Sequence, residues 1–206
     1  KIRRKWYERF YRWFISSDGF LVIMGKNERH NRTILKRYSK ENDLLLFANL
    51  KNPIFTVIKN EKSSSIPPET IYQAAQFTAS YSIAWKEKKE KTTIFYVKRD
   101  QVMLNDKILI QGGIKEIKKV KPVISISVKQ ENGNVKLIFG PPTAIRKISP
   151  FLVTIIPGDK EARELSQEIK KELMLKAPFE LKDLIEALDA KEIEKVIPFG
   201  KGEIVK

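Results

Sequence analysis

The chain has 206 residues, 42% apolar and 10% aromatic, with 40 Lys/Arg against 25 Asp/Glu and a formal net charge of +15. That length suits one domain with an appended subdomain and leaves enough apolar side chains for a core. Zero Cys and one His exclude disulfides, thiolate zinc sites, cysteine nucleophiles and histidine metal clusters, so no metal and no cofactor are expected. No apolar run reaches the roughly 18 residues of a membrane span, and "KIRRKWYERF" lacks the apolar segment of a secretory leader. A cytoplasmic setting without a membrane partner is expected, and a first residue other than Met suggests a piece of a longer protein.

In chain order, Trp13 to Ser16 and Phe20 to Met24 are apolar runs flanking "SSDG", a hairpin signal. Asn27 suits the cap of a helix from about Glu28 to Lys40, with Ile34, Leu35 and Tyr38 as its apolar stripe. "LLLFA" (44–48) and "IFTVI" (54–58) read as buried strands. "KNEKSSSIPPET" is a linker ending at a helix predicted over about 68–88, whose small residues Ala74, Ala75, Ala79 and Ser82 suit close packing on a sheet. "TIFYVK", "VMLN" and "KILI" are further strands. Beyond Pro122, "VISISVK", "ENGN" and "VKLIFG" spell a second hairpin. "PFLVTIIPGD" predicts a strand and then a helix capped by Asp159, and "PFELKDLIEALD" a short helix. The expected fold is α+β, a mixed sheet of hairpins with packed helices over 1–121, plus a smaller α/β C-terminal subdomain over 122–206.

The charge is distributed unevenly. Residues 1–121 hold 26 Lys/Arg against 12 Asp/Glu, net +14, whereas residues 122–206 hold 14 against 13, net +1. Solubility charge would be spread more evenly, so a polyanion partner for the first part is the favoured reading. Lys191 and Lys195, in the near-neutral half, are expected to be bystanders.

His30 sits on a charged helix start, a poor place for a catalytic base. Asp18, Asp43, Asp100 and Asp106 fall in turns, where turn chemistry accounts for them, and "LIQGGIKEIKK" lacks phosphate-loop spacing. A non-catalytic protein is expected. "GKNERHNR" is different. Helix N-termini present free N–H groups and a partial positive charge, which suit phosphate. Lys26, Arg29, His30 and Arg32 add cations where they oppose the helix dipole, an unfavourable placement unless an anion binds. The bland alternative is a solvated face. In "KIRRKWYERFYRW", basic and aromatic residues interleave. They could stack bases, or Trp6, Phe10 and Trp13 could form the i, i+4, i+7 stripe of an amphipathic helix, the favoured reading.

"KWYERFYRWFISSDGFLVIMGKNERHNRTILKRY" resembles the opening of the RNA-binding NFACT-R domain of the NFACT family. Trp6, Glu8, Phe10, Trp13, Phe14, Gly25, Lys26, Asn27 and Asn31 carry the likeness. "TVIKN", "IPPETIYQAAQFTASYSIAW" and "YVKRDQV" follow in order. After Lys121, "FGPPTAIRKISPFLVTIIPGDKEA", "DLIEAL" and "IPFGKGEIV" resemble the segment after this domain in archaeal and eukaryotic members. Two motifs depart: a His-x-Asp-x-His-Gly loop is replaced around Phe47, Asn49, Lys51 and Asn52, and a later Arg-Gly-Lys-Lys-Asn by "KEIKKVK".

The resemblance implies an archaeal-type member that binds RNA as a module of ribosome-associated quality control acting on stalled nascent chains. Its implied partners are tRNA, rRNA of the large subunit, and the ribosome, with no DNA expected. The expected RNA-binding residues are Lys26, Asn27, Arg29, His30, Asn31, Arg32, Lys36, Lys98 and Arg99. The alternative is a protein-interaction module that docks a ribosomal protein or quality-control partner without touching RNA.

Overall fold

The computed structural model of the chain describes residues 4–8 and 12–206. Strands β1 (Arg12–Ile15) and β2 (Leu21–Met24) form the first hairpin, followed by helix α1 (Glu28–Arg37) and strands β3 (Leu44–Phe47) and β4 (Thr56–Ile58). Helices α2 (Pro68–Ser80) and α3 (Ile83–Lys86) lead to β5 (Thr92–Lys98), the small hairpin β6 (Val102–Leu104) and β7 (Ile108–Ile110), and β8 (Lys115–Val120). The remainder is β9 (Ile124–Glu131), β10 (Asn134–Gly140), α4 (Pro142–Ile148), β11 (Val153–Glu161), α5 (Ala162–Lys176), α6 (Lys182–Glu186), α7 (Ala190–Glu194) and β12 (Lys201–Ile204). The fold is α+β, with a six-stranded sheet in the order β1-β2-β4-β3-β5-β8 and a four-stranded sheet in the order β10-β9-β11-β12.

The apolar runs of β3 and β4 lack polar alternation because both faces of the six-stranded sheet are covered. Successive side chains point to opposite faces. Leu44, Leu46 and Ile58 therefore join α2, while Leu45, Phe47 and Val57 join Ile34 and Leu35 of α1. The small residues of α2 lie against the sheet as expected, and Ala74, Ala75 and Ala79 are fully buried. Thr78 donates to the Ala74 carbonyl and bonds the Thr56 hydroxyl of β4 at 2.7 Å.

One apolar cluster runs from Phe14 through Phe77 and Trp85 to Ile197, across the expected subdomain boundary at 121/122. Hydrogen bonds reinforce it: Tyr81 Oη donates to the Val196 carbonyl at 2.6 Å, and Trp85 Nε1 to the Lys201 carbonyl at 2.7 Å. The β9–β10 turn is the two-residue Asn132-Gly133, both at positive φ (51° and 78°), as the right-handed twist of a tight hairpin requires.

Three expectations are corrected. The helix over 68–88 breaks after Ser80, because Ser82 is extended and its hydroxyl caps α3 through the Ala84 N–H. Asp159 does not cap α5. It lies within β11, pairs with Lys88, and Glu161 occupies the cap position without a side-chain capping bond to the helix. Trp6 and Trp13 do not share a helix: Trp6 stands in a 3-10 turn (Trp6–Glu8), Trp13 is in β1, and Phe10 lies outside the described residues. The divergent segment "KEIKKVK" supplies β8, whose Val120 is pulled into the core.

Candidate nucleic-acid interface

Strand β2 must turn into α1 within three residues, and Gly25 makes the approach. A Cβ there would lie 2.9 Å from the Asn31 backbone nitrogen and 3.0 Å from the His30 Cβ. Asn27 then takes an extended conformation, and its Oδ1 accepts from the His30 N–H at 2.9 Å. That cap satisfies one of the helix's free donors. Ile34 and Leu35 bury the inner stripe of α1. The outer stripe is left to Arg29, Arg32 and Lys36, spaced i, i+3, i+7 and so on one face. Arg32 Nη2 donates to the Asn105 carbonyl at 2.9 Å, tying this stripe to the β6–β7 turn.

Lys26, Arg29 and His30 converge at the N-terminal end of α1. His30 has its pKa pushed below the usual imidazole value, by partial burial first and then by the charges of Lys26, Arg29 and Arg12. Lys26 is lowered by burial, with Arg12 and Lys195 adding to the shift. An electropositive pole thus exists where the dipole also points its positive end.

The other expected residues go elsewhere. Asn31 is 1% exposed, with Nδ2 donating to the Pro53 carbonyl at 2.9 Å and Oδ1 accepting from the Phe55 N–H at 2.8 Å. Its amide is used in the fold and has no face toward a ligand. Arg99 is held likewise, with Nε on the Ser39 hydroxyl at 2.7 Å, Nη1 on the Val102 carbonyl at 2.8 Å and Nη2 on the Leu35 carbonyl at 3.2 Å. It closes the C-terminal end of α1, about 15 Å from Asn27 along a ten-residue helix. Lys98 is exposed beside it at the end of β5. Of the nine residues, Arg29, His30, Arg32 and Lys36 lie on α1 with Lys26 and Asn27 just before it, Lys98 stands apart at the end of β5, and Asn31 and Arg99 are tied into the fold.

The 49–54 loop, which holds Asn49, Lys51 and Asn52, is bound to the same helix start through Asn31. Leu50 and Ile54 in this loop are exposed, at 56% and 39%. Among the described residues, no group of three or more His, Cys, Asp or Glu side chains could hold a metal ion. No helix among the described residues is long and apolar enough to cross a membrane.

Residues 10–118 match the NFACT protein RNA binding domain. The chain belongs to the NFACT family. Its relatives include the archaeal Rqc2 homolog aRqcH of Methanocaldococcus jannaschii, 30% identical across this whole chain and 30% of that protein. The ribosome quality control complex subunit NEMF homolog of Drosophila melanogaster is 39% identical over 47% of this chain and 10% of its own length. Ribosome quality control complex subunit 2 of Saccharomyces cerevisiae is 36% identical over 43% of the chain and 8% of its length. The chain thus spans under a third of each. The NFACT RNA-binding domain coincides with the half of the chain that carries the excess charge, and α1 lies inside it.

Sequence reasoning missed one contribution. Arg12, Lys136 and Lys195 come together with Lys26 around a single cleft, although Lys195 belongs to the near-neutral half. No local pattern signals this, because α7 reaches β1 only through the shared core.

Proposed function

We propose that this NFACT domain is the RNA-binding arm of a ribosome-associated quality-control factor, taking tRNA or rRNA of the large subunit. Phosphates lie along the outer face of α1, with Lys26, Arg29, His30, Arg32, Lys36 and Lys98 as the contacting side chains. Asn27 serves by fixing the helix start. The carrying observation is the coincidence of the family's RNA-binding domain, residues 10–118, with the +14 charge of residues 1–121. Contacts of this kind follow the backbone and give little sequence preference. The role is one of binding without chemistry, in a cytoplasmic protein.

Binding of the 206-residue chain to bulk tRNA and to isolated large subunits, followed from low to high KCl, tests the proposal. With about four to six phosphates neutralised, log affinity falls against log salt with a slope of about −3 to −5. Affinity independent of salt, or no binding to either RNA at low salt, contradicts it.

A further inference from the structure

We infer that the cleft between β1, the β9–β10 hairpin and α7 receives one nucleotide of the bound RNA, with its phosphate on the Arg12 guanidinium. This rests on the RNA-binding reading above and extends it onto the C-terminal half.

The cleft has a volume of about 530 Å³, and its lining includes Arg12, Trp13, Lys26, Lys136, Phe139 and Lys195. Pockets of roughly 300–1,000 Å³ suit small ligands, so a nucleotide fits where a lone phosphate would be loose. Arg12 opens β1 opposite Met24 of β2. Its guanidinium carbon stands 4.1 Å from the centroid of the Tyr81 ring. Tyr81 is buried and its hydroxyl is tied to Val196, which fixes the platform under the cation.

The charges in the cleft are unevenly paired. Lys136 pairs with Glu8, and Lys195 with Glu192 at 3.0 Å. Among the described residues, neither Arg12 nor Lys26 is ion-paired with a carboxylate, and Arg12 rests on the aromatic ring. Burial presses the Arg12 pKa down, the signature of a cation drawn out of water without a counter-charge. Such a group costs stability until an anion arrives. A phosphate accepts two parallel N–H bonds from guanidinium, a match that an ammonium lacks.

Two features favour a nucleotide over an acidic peptide. Lys26 belongs both to this cleft and to the start of α1, so a backbone leaving the helix face enters here without a gap. Glu131 and Glu192 also line the cleft beside Val135 and Leu137. Those carboxylates repel a segment bearing several charges, whereas one nucleotide brings a single phosphate and a base whose flat faces suit Val135 and Leu137.

The test measures tRNA affinity against KCl, together with melting temperature, for the wild-type chain, Arg12→Met, Lys195→Gln and a control, Lys171→Gln on the exposed side of α5. Arg12→Met is expected to flatten the salt slope by about one unit, with the melting temperature recorded on the same sample. Lys195→Gln, exposed and therefore harmless to folding, is expected to lower affinity several-fold, and Lys171→Gln not at all. If wild-type protein binds tRNA with the expected slope but Arg12→Met and Lys195→Gln behave like it, the cleft assignment is wrong and the α1 surface stands. If Arg12→Met melts early, an unchanged affinity of Lys195→Gln overturns the assignment by itself. Should wild-type protein bind a poly-glutamate peptide through Arg12 while its tRNA binding ignores both variants, the occupant is a protein. Failure of wild-type protein to bind tRNA at all overturns the RNA reading and this inference with it.

Discussion

The side-chain amide of Asn31 spans the backbone of Phe55, taking the Phe55 N–H at 2.8 Å while giving its own N–H to the Pro53 carbonyl two residues earlier, at 2.9 Å. A buried Asn on a helix thereby holds the segment that leads into β4, where the chain enters the sheet. Both backbone groups are out of reach of water. Asn31→Ala leaves them without partners and is expected to lower the unfolding free energy by about 2–4 kcal/mol. Urea unfolding of the two proteins checks this, and a loss below about 0.5 kcal/mol contradicts it.

Gly25 is required by space. A methyl group there meets the His30 Cβ and the Asn31 nitrogen, at 3.0 and 2.9 Å. Gly25→Ala is expected to cost about 1–3 kcal/mol. It also moves the start of α1, so tRNA affinity should fall even at temperatures where the variant is fully folded. Circular dichroism and filter binding on the same sample separate the two effects.

The cations at the start of α1 are expected to make opposite contributions to folding and to binding. Replacing Lys26 and Arg29 together by Gln should leave melting unchanged or raise stability by about 0.3–1 kcal/mol per charge at most, since they oppose the helix dipole; Arg32, which also holds the Asn105 carbonyl, is left in place. The salt slope of tRNA binding should fall by about one unit for each phosphate that the protein no longer neutralises. If the variant melts early and loses binding in parallel, these charges are structural.

His30 gives a pH signature. Its folded-state pKa is depressed below the ordinary value near 6.5, by burial, Lys26, Arg29 and Arg12. Its contribution to stability is therefore complete above about pH 6.5 and is lost as pH falls through the folded pKa, because protonation favours the unfolded chain. A phosphate bound beside the ring would reverse the bias by favouring imidazolium. tRNA affinity at fixed salt should rise as pH is lowered from about 7.5 to 6, with proton uptake on binding, and His30→Gln should abolish that rise. A flat pH profile in the wild-type protein places His30 away from the RNA.

The elements legible in the sequence were those with local causes. Asn27 caps α1, and Asn132-Gly133 closes a hairpin, because each bonds or bends within its own few residues. The runs at 44–48 and 54–58 proclaimed burial without saying which residue faces which helix. The break at Ser82 was hidden because Tyr81 and Trp85 are drawn to Val196 and Lys201, more than a hundred residues away. The site divided in the same way. Arg29, Arg32 and Lys36 could be read from helical spacing, whereas the structural roles of Asn31 and Arg99 depend on a loop and a strand that the spacing does not encode. The cleft around Arg12 was invisible for a like reason, since Lys195 arrives from the other end of the chain.

Ultraviolet crosslinking of tRNA to the 206-residue chain, with the attached peptides identified by mass spectrometry, tests most directly where RNA is held. Crosslinks are expected on peptides holding Lys26 to Lys36 and around Lys98, with further ones at Trp13 and Lys195 if the cleft is occupied. Crosslinks confined to β11 and α5, with none on α1, would contradict an RNA surface at the helix start.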